Sequence, residues 1–246
     1  MSYILSKSKI NTFVSCPRKF YYQYIEKIES SNEFVEIGID IHSIAEEFVK
    51  LNRLGGREDI LNILLNSSSY KEEYKEHCDN LATFFHDMLV EKGYSIFSAE
   101  EKLFSNRYQF TGLADLVLED KEGNLIIIDY KTGKSSSAKH YKLELCYYKM
   151  LVEEKFKDKK VSQVGILFTK DGFLSLLEFS EDKEKFSRDD VCSIYDYYLA
   201  CKFIKTARIE IENYIEINDF PARRQHLCNY CSYIDECGKY SGFEEV

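Results

Sequence analysis

The stretch from Gly112 to Lys134, GLADLVLEDKEGNLIIIDYKTGK, constrains the fold more than any other part of the chain. Two runs rich in Leu, Ile and Val, LADLVLE and LIIIDYK, are bounded by turn formers and read as strands. Lys121-Glu122-Gly123 between them suits a three-residue hairpin, with Gly123 where a positive φ is needed. A hairpin centred on Glu122 leaves Asp115 and Asp129 equally far from the turn. They then face each other across an antiparallel pair, with Cβ atoms roughly 5 Å apart. Lys131, two residues beyond Asp129, shares its face. Two carboxylates and an ammonium thus converge on one face of an otherwise apolar sheet. A bulge at Gly123 would slip the pairing by one residue and separate them.

The rest of the chain places this hairpin between helices. Residues 6–25 read as a helix pair broken at Pro17, with Ser6 or Ser8 as cap and Pro17 opening a new turn. Helical periodicity runs through 37–53, stops at Gly55-Gly56, and returns at 58–65 and 70–91. From Tyr94 the period changes: SIFSAEEKLF, YQFTGLADLVLE and NLIIIDYK predict an antiparallel meander. A helix over 140–155 follows, then VSQVGILFT and FLSLLEFS as strands joined at Asp171-Gly172, then a long helical stretch over 183–214. There is no internal repeat or low-complexity linker. The expectation is one α/β domain over 1–246, with a helical part at 1–92, a sheet core at 93–182, and a C-terminal helix and cysteine-rich tail at 183–246.

The composition, 44% hydrophobic and 15% aromatic, supports a substantial core. No run approaches the roughly 18 apolar residues of a membrane span, and the polar start does not resemble a signal peptide. The expected setting is the cytoplasm, away from membranes. A net charge of −9 argues against indiscriminate nucleic-acid binding. The charge is uneven, however: Lys131, Lys134, Lys139, Lys142 and Lys149 follow the hairpin, while acids crowd 26–47 and 72–101, which leaves a local basic track on an acidic body open. A reducing compartment also argues against disulfides among the eight cysteines. Cys228-x2-Cys231-x5-Cys237 is a tight set that needs a fourth ligand for a tetrahedral metal or a cubane cluster. Spacing alone leaves Cys16, Cys78, Cys146, Cys192 and Cys201 all open as that fourth residue.

Asp115 and Asp129 on one face can hold a hard cation such as Mg²⁺, and Lys131 beside them can orient a water or stabilise developing charge. The bland alternative is a surface Asp pair with a solvated lysine. Asp129 follows a four-residue apolar run, a poor position for a solvated side chain.

GLADLVLED followed by IIIDYKTGK resembles the core of the PD-(D/E)xK nucleases, in their RecB-like exonuclease branch. Asp115, Asp129 and Lys131 match the family pattern one by one. SKSKINTFVSCPRKFYYQYI is similar to the N-terminal segment of that branch, and IGIDIHSIAEEF to the helix carrying its metal-binding histidine, here His42. The resemblance covers nearly the whole chain. It implies a restriction-endonuclease-like central mixed sheet flanked by helices. It implies metal ligation of Mg²⁺ or Mn²⁺ by His42, Asp115, Asp129 and the Tyr130 carbonyl, with Lys131 catalytic. The family's Gln-x-x-x-Tyr motif falls in the helix over 140–155, where Glu144 stands for the glutamine and Tyr148 for the tyrosine. Glu144 is a departure: when ionised it cannot donate a hydrogen bond, and it either assists the metal or weakens phosphate contact. Tyr148 serves either DNA or the core.

Some members of the branch hold a 4Fe-4S cluster with one N-terminal Cys-Pro cysteine and three C-terminal ones. The resemblance therefore selects Cys16 to join Cys228, Cys231 and Cys237, with Zn²⁺ as the alternative occupant. Arg18, Lys19, Arg223 and Arg224 flank these ligands, and with Lys134 and Tyr148 they are the candidate DNA contacts. The implied activity is that of a DNA exonuclease on single-stranded ends, in repair, recombination or CRISPR spacer acquisition, with a helicase or integrase as possible partner. The alternative is a nucleic-acid-binding subunit whose nuclease site is degenerate, which Glu144 permits.

Overall fold

The computed structural model describes residues 4–29, 33–51 and 53–241. The expected outer bounds, 1 and 246, and Asn52 in the second predicted helix lie outside the described residues. In chain order the elements are β1 (Leu5–Ser6), α1 (Lys7–Ser15), α2 (Pro17–Phe20), α3 (Glu33–Leu51), α4 (Arg57–Leu65) and α5 (Lys75–Phe85). Then come β2 (Ser95–Ser105), β3 (Phe110–Glu119), β4 (Leu125–Lys131), α6 (Lys142–Lys155), β5 (Val161–Phe168) and β6 (Phe173–Ser180). The chain closes with β7 (Val191–Ser193), α7 (Ile194–Ile217) and α8 (Ile234–Ser241). The residues fall into two compact units: Met1–Asn32 with Asn106–Phe110 and Cys201–Val246, and Glu33–Ser105 with Thr111–Ala200.

The larger unit is built on a mixed sheet in the order β2-β3-β4-β5-β6-β7. The β3–β4 hairpin is antiparallel and pairs Leu116 with Ile128 and Glu119 with Leu125, so it is centred on Glu122 as the turn chemistry predicts. Asp120 holds the turn by accepting hydrogen bonds from the backbone of Glu122 at 3.0 Å and Asn124 at 2.8 Å. Gly123 takes the left-handed conformation at φ 83°. β4 then pairs in parallel with β5, β5 antiparallel with β6, and β6 in parallel with β7. The parallel step requires a crossover, which α6 supplies.

β4 is buried along nearly its whole length, and β3 from Ala114 to Leu118. One face of the sheet presents Leu116, Leu118, Ile126 and Ile128 to Ile41, Ile44 and Phe48 of α3 and to Leu81 and Phe85 of α5. α6 lies along β2, β4 and β5. Gly112 permits the approach of α6 to β3: a Cβ there would stand 2.7 Å from Leu151 Cδ1 and 3.6 Å from the Tyr148 ring.

The smaller unit has an aromatic core assembled from both ends of the sequence. Phe13 meets Phe20 edge-on at 5.5 Å and Tyr214 at 5.8 Å, Tyr21 meets Phe220 at 5.1 Å, and Tyr22 meets Tyr233 at 5.8 Å. Such pairs add about 0.5–1.5 kcal/mol each beyond the area they bury. Ser6 caps α1 through Lys9 N, and Pro17 opens α2. Pro17 disfavours helical geometry in the residue before it, so Cys16 is extended at the joint of the two helices.

Two expectations are corrected. Residues 183–214 are not continuously helical: Val191–Ser193 form β7, and α7 starts only at Ile194. Ser193 and Asp196 exchange reciprocal hydrogen bonds across the first turn, a capping box that sets the start there. The basic track after the hairpin is not a continuous surface. Lys149 is buried against Glu153 and the Phe179 ring, and Lys139 is paired with Asp189.

Candidate active site

The larger unit carries a polar cluster on its sheet. β3 contributes Asp115, β4 contributes Asp129 and Lys131, and α6 contributes Glu144. α3 contributes His42, which lies one residue beyond buried Ile41 on the helix that covers the sheet. The side chains of Asp115 and Asp129 are almost fully buried, as the apolar runs around them predict.

His42 Nδ1 lies 3.5 Å from Asp115 Oδ1 and 3.4 Å from Glu100 Oε1. The other Asp115 oxygen accepts a 2.7 Å hydrogen bond from the backbone N–H of Tyr130. The buried Tyr130 ring packs edge-on against the His42 imidazole at 5.6 Å. Beside this group, Lys131 Nζ sits 2.5 Å from Asp129 Oδ2 and 4.0 Å from Glu144 Oε2, and lies over the Tyr141 ring at 5.8 Å. The structure therefore brings together His42, Asp115, Asp129, Lys131 and Glu144, residues far apart in sequence.

Glu100 of β2 is the residue that sequence reasoning missed. With His42 and Asp115 it forms a group whose ligand atoms all lie within 4.8 Å of one another. It has φ 47°, a left-handed value that a non-glycine residue adopts at a cost. Such a kink lets an acid inside a strand turn toward the cluster. The sequence offered an acidic pair, Glu100-Glu101, but no means of choosing between them. In the structure Glu101 pairs with Lys155 and Glu100 faces His42.

The electrostatics favour a cation. Burial and then the neighbouring Asp129 charge push the Asp115 carboxyl up to about 7. Burial pulls the His42 imidazole down, but Glu100, Asp115 and Asp129 together outweigh it and raise its pKa. Glu100 Oε1 is buried and makes no well-aligned hydrogen bond, with His42 Nδ1 3.4 Å away. Two carboxylates and an imidazole with an orphaned oxygen fit a divalent metal of the Mg²⁺ or Mn²⁺ type. Asp129 does not belong to this close triple; its Oδ2 faces Lys131.

Other candidate residues fall elsewhere. Tyr148 is buried under Gly112 and Leu151. Lys134 is exposed in the loop after β4. In the smaller unit, Cys16, Cys228, Cys231 and Cys237 line one cavity of about 600 Å³, together with Arg18, Lys19, Arg223 and Arg224. Cys16 Sγ accepts from Arg223 N at 3.4 Å and Cys228 Sγ from Gln225 N at 3.3 Å. Burial and then the neighbouring cysteines raise the Cys237 thiol. Arg18 is buried: it pairs with Asp219 at 3.3 Å and lies over the rings of Tyr21 and Tyr22. Its charge is therefore engaged inside the unit rather than offered at the surface. Cys78, Cys146, Cys192 and Cys201 are buried thiols elsewhere in the fold.

A mixed sheet flanked by helices, with an Asp–x–Lys strand facing a second aspartate, is the framework of a metal-dependent nuclease. Residues 4–238 match the sequence profile of the PD-(D/E)XK nuclease superfamily, and the chain belongs to that superfamily. Its fold is similar to that of a solved "putative exonuclease" from Eubacterium rectale. The TM-score is 0.52 at 10% sequence identity, over 94% of this chain and 87% of that one. At that identity the likeness bears on the fold alone. No curated protein matches the chain in sequence. Among the described residues, no helix is long and apolar enough to cross a membrane.

Proposed function

We propose that the chain is a divalent-metal-dependent DNA nuclease of the RecB-like branch, acting as an exonuclease on single-stranded ends. The observation that carries this reading is the close approach of His42, Glu100 and Asp115 beside the Asp129–Lys131 pair. His42, Glu100 and Asp115, with Asp129 adjoining, are the residues to hold Mg²⁺ or Mn²⁺. Such an ion, when bound, polarises a phosphoryl oxygen and lowers the pKa of a water. Tyr130 N–H fixes one Asp115 oxygen and so aims the other at His42. Lys131 is held between Asp129 and Glu144, where its ammonium positions the attacking water and stabilises charge on the phosphate. Repair, recombination and CRISPR spacer acquisition are the settings this activity suits, with a helicase or integrase as partner.

The same reading assigns a 4Fe-4S cluster to Cys16, Cys228, Cys231 and Cys237. These four cysteines share a cavity, and none of the other four lines it.

The deciding assay is metal-dependent digestion of linear single-stranded DNA by wild type, Asp115→Asn and Lys131→Ala. Wild type should shorten the strand from an end, and both variants, folded, should be slower by roughly a hundredfold or more. Equal digestion by all three overturns the assignment, as does no digestion by metal-loaded wild type. For the cluster, protein purified without oxygen should be brown and carry iron and sulfide in equal amounts. A colourless, zinc-bearing protein overturns that assignment.

A further inference from the structure

On a chain of net charge −9, the wall of the cysteine cavity is an exception. It carries Arg18, Lys19, Arg223 and Arg224, and no Asp or Glu lies among the described residues that line it. Arg18 is spent on Asp219, but Arg223 and Arg224 are exposed, Arg223 with one guanidinium N–H on the Val14 carbonyl, and Lys19 is half-buried. Over the same rim stands Tyr230, which is 85% exposed, with Leu227 and Ile234 also exposed. A ring exposed together with neighbouring apolar side chains, rimmed by polar ones, is a setting in which binding sites occur.

The local chain explains how the ring is presented. Tyr230 ends a short 3-10 turn, His226–Tyr230, between Cys228 and Cys231. The turn is braced at both ends: Cys228 N donates to Gln225 O at 3.0 Å, and Cys231 N donates to Cys228 O at 3.0 Å. Flanked on both sides by cavity cysteines, the backbone carrying Tyr230 is anchored while its side chain points away. Such a ring loses little conformational freedom when a flat partner stacks on it.

We infer that Tyr230, with Lys19, Arg223 and Arg224, forms a binding surface for single-stranded nucleic acid, in which the tyrosine stacks a base and the three cations contact the phosphates on either side. An exposed aromatic set among cations, without opposing carboxylates, matches the chemistry of strands read by stacking and backbone charge. A duplex keeps its base faces covered and offers Tyr230 nothing to stack on. This inference rests on the reading of the chain as a DNA nuclease, and it stands whichever metal the four cysteines hold.

The test is binding of a short fluorescein-labelled single strand by full-length protein carrying Asp115→Asn to prevent digestion, read by fluorescence anisotropy. In that background Tyr230→Ala should weaken binding roughly tenfold, while Tyr230→Trp retains it. Arg224→Ala should weaken binding and flatten its salt dependence, whereas Tyr230→Ala leaves that slope unchanged. A blunt duplex of the same sequence should be indifferent to Tyr230→Ala. Equal metal content and circular dichroism across the variants exclude misfolding as the cause. Should Tyr230→Ala bind the strand as tightly as its parent, or should Tyr230→Trp fail as Tyr230→Ala does, the inference is wrong. The nuclease reading would still stand if wild type digests DNA. Absence of both binding and digestion removes the two together.

Discussion

The backbone N–H of Tyr130 donates a 2.7 Å hydrogen bond to Asp115 Oδ2, so one strand of the hairpin orients the acid of the other. Tyr130 is the residue between Asp129 and Lys131, and its own ring braces His42. A single dipeptide step on β4 therefore connects three members of the site: the acid on β3, the imidazole on α3 and the lysine next to it.

Glu100 is the first point to test. If it is a metal ligand, Glu100→Gln should weaken Mn²⁺ binding by at least about tenfold in calorimetric titration, with the fold retained. Glu101→Gln removes a neighbouring acid that pairs with Lys155 and should leave Mn²⁺ affinity unchanged. Equal losses in the two variants would mean that only bulk negative charge matters.

The site should make metal stabilisation depend on pH with a definite sign. The Asp115 carboxyl titrates at about 7 in the fold, against about 3.9 in an unfolded chain. Between those values the folded state binds the extra proton, so metal-free protein loses stability as pH rises through the window. His42, also raised, contributes stability below its unfolded pKa and loses it as pH climbs past its folded one, so the two add. Metal competes with these protons. The rise in melting temperature on adding Mn²⁺ should therefore be small near pH 5 and large near pH 8, roughly speaking, and Asp115→Asn should flatten the difference. A rise that shrinks with pH would contradict this account.

Glu144 stands where the family pattern has glutamine, 4.0 Å from Lys131. Replacing it by Gln removes one negative charge from a site that must receive a phosphate. KM for DNA should fall about fivefold, on the order of one screened charge–charge contact, with kcat kept. Loss of kcat in Glu144→Gln comparable to that in Asp115→Asn would instead make the carboxylate a required ligand.

Lys149 gives a stability test away from the site. It is buried, with its ammonium 2.5 Å from Glu153, 3.2 Å from the Val161 carbonyl and 3.8 Å from the Phe179 ring centre. Lys149→Ala leaves a cavity and a Glu153 carboxylate held only by the Val161 backbone N–H, and should cost about 2–4 kcal/mol in urea denaturation. Glu153 is partly exposed, so Glu153→Gln should cost less. A double variant whose cost equals the sum of the two single costs would show that the pair is not energetically shared.

The β3–β4 hairpin was legible because its information is local. Turn chemistry at Asp120 to Asn124 and a period of two set the register, which runs from Glu119–Leu125 to Leu116–Ile128 and leads on to Asp115 and Asp129. β7 was not legible: three residues are too few for a periodic signal, and their pairing with β6 is a tertiary choice. Lys149 read as part of a surface track because a lysine's burial depends on partners from another helical turn, a strand and a ring. Tyr148 was left open between substrate and core because its burial follows from the fit of α6 over Gly112.

By itself the sequence determined the hairpin, its pair of aspartates, the lysine beside them and the helix bearing His42, since each depends on neighbours within a turn or a strand pair. It also determined that Cys16 would sit at a helix break, because Pro17 excludes the alternative. Only the tertiary structure decided that Glu100 rather than Glu101 meets His42, because a left-handed residue within β2 sets which side chain turns inward. Likewise only the folded chain brings Cys16 to the cavity of the three tail cysteines. Aromatic packing between Phe13, Phe20, Tyr214 and Phe220 joins those distant segments, and no local pattern encodes that meeting.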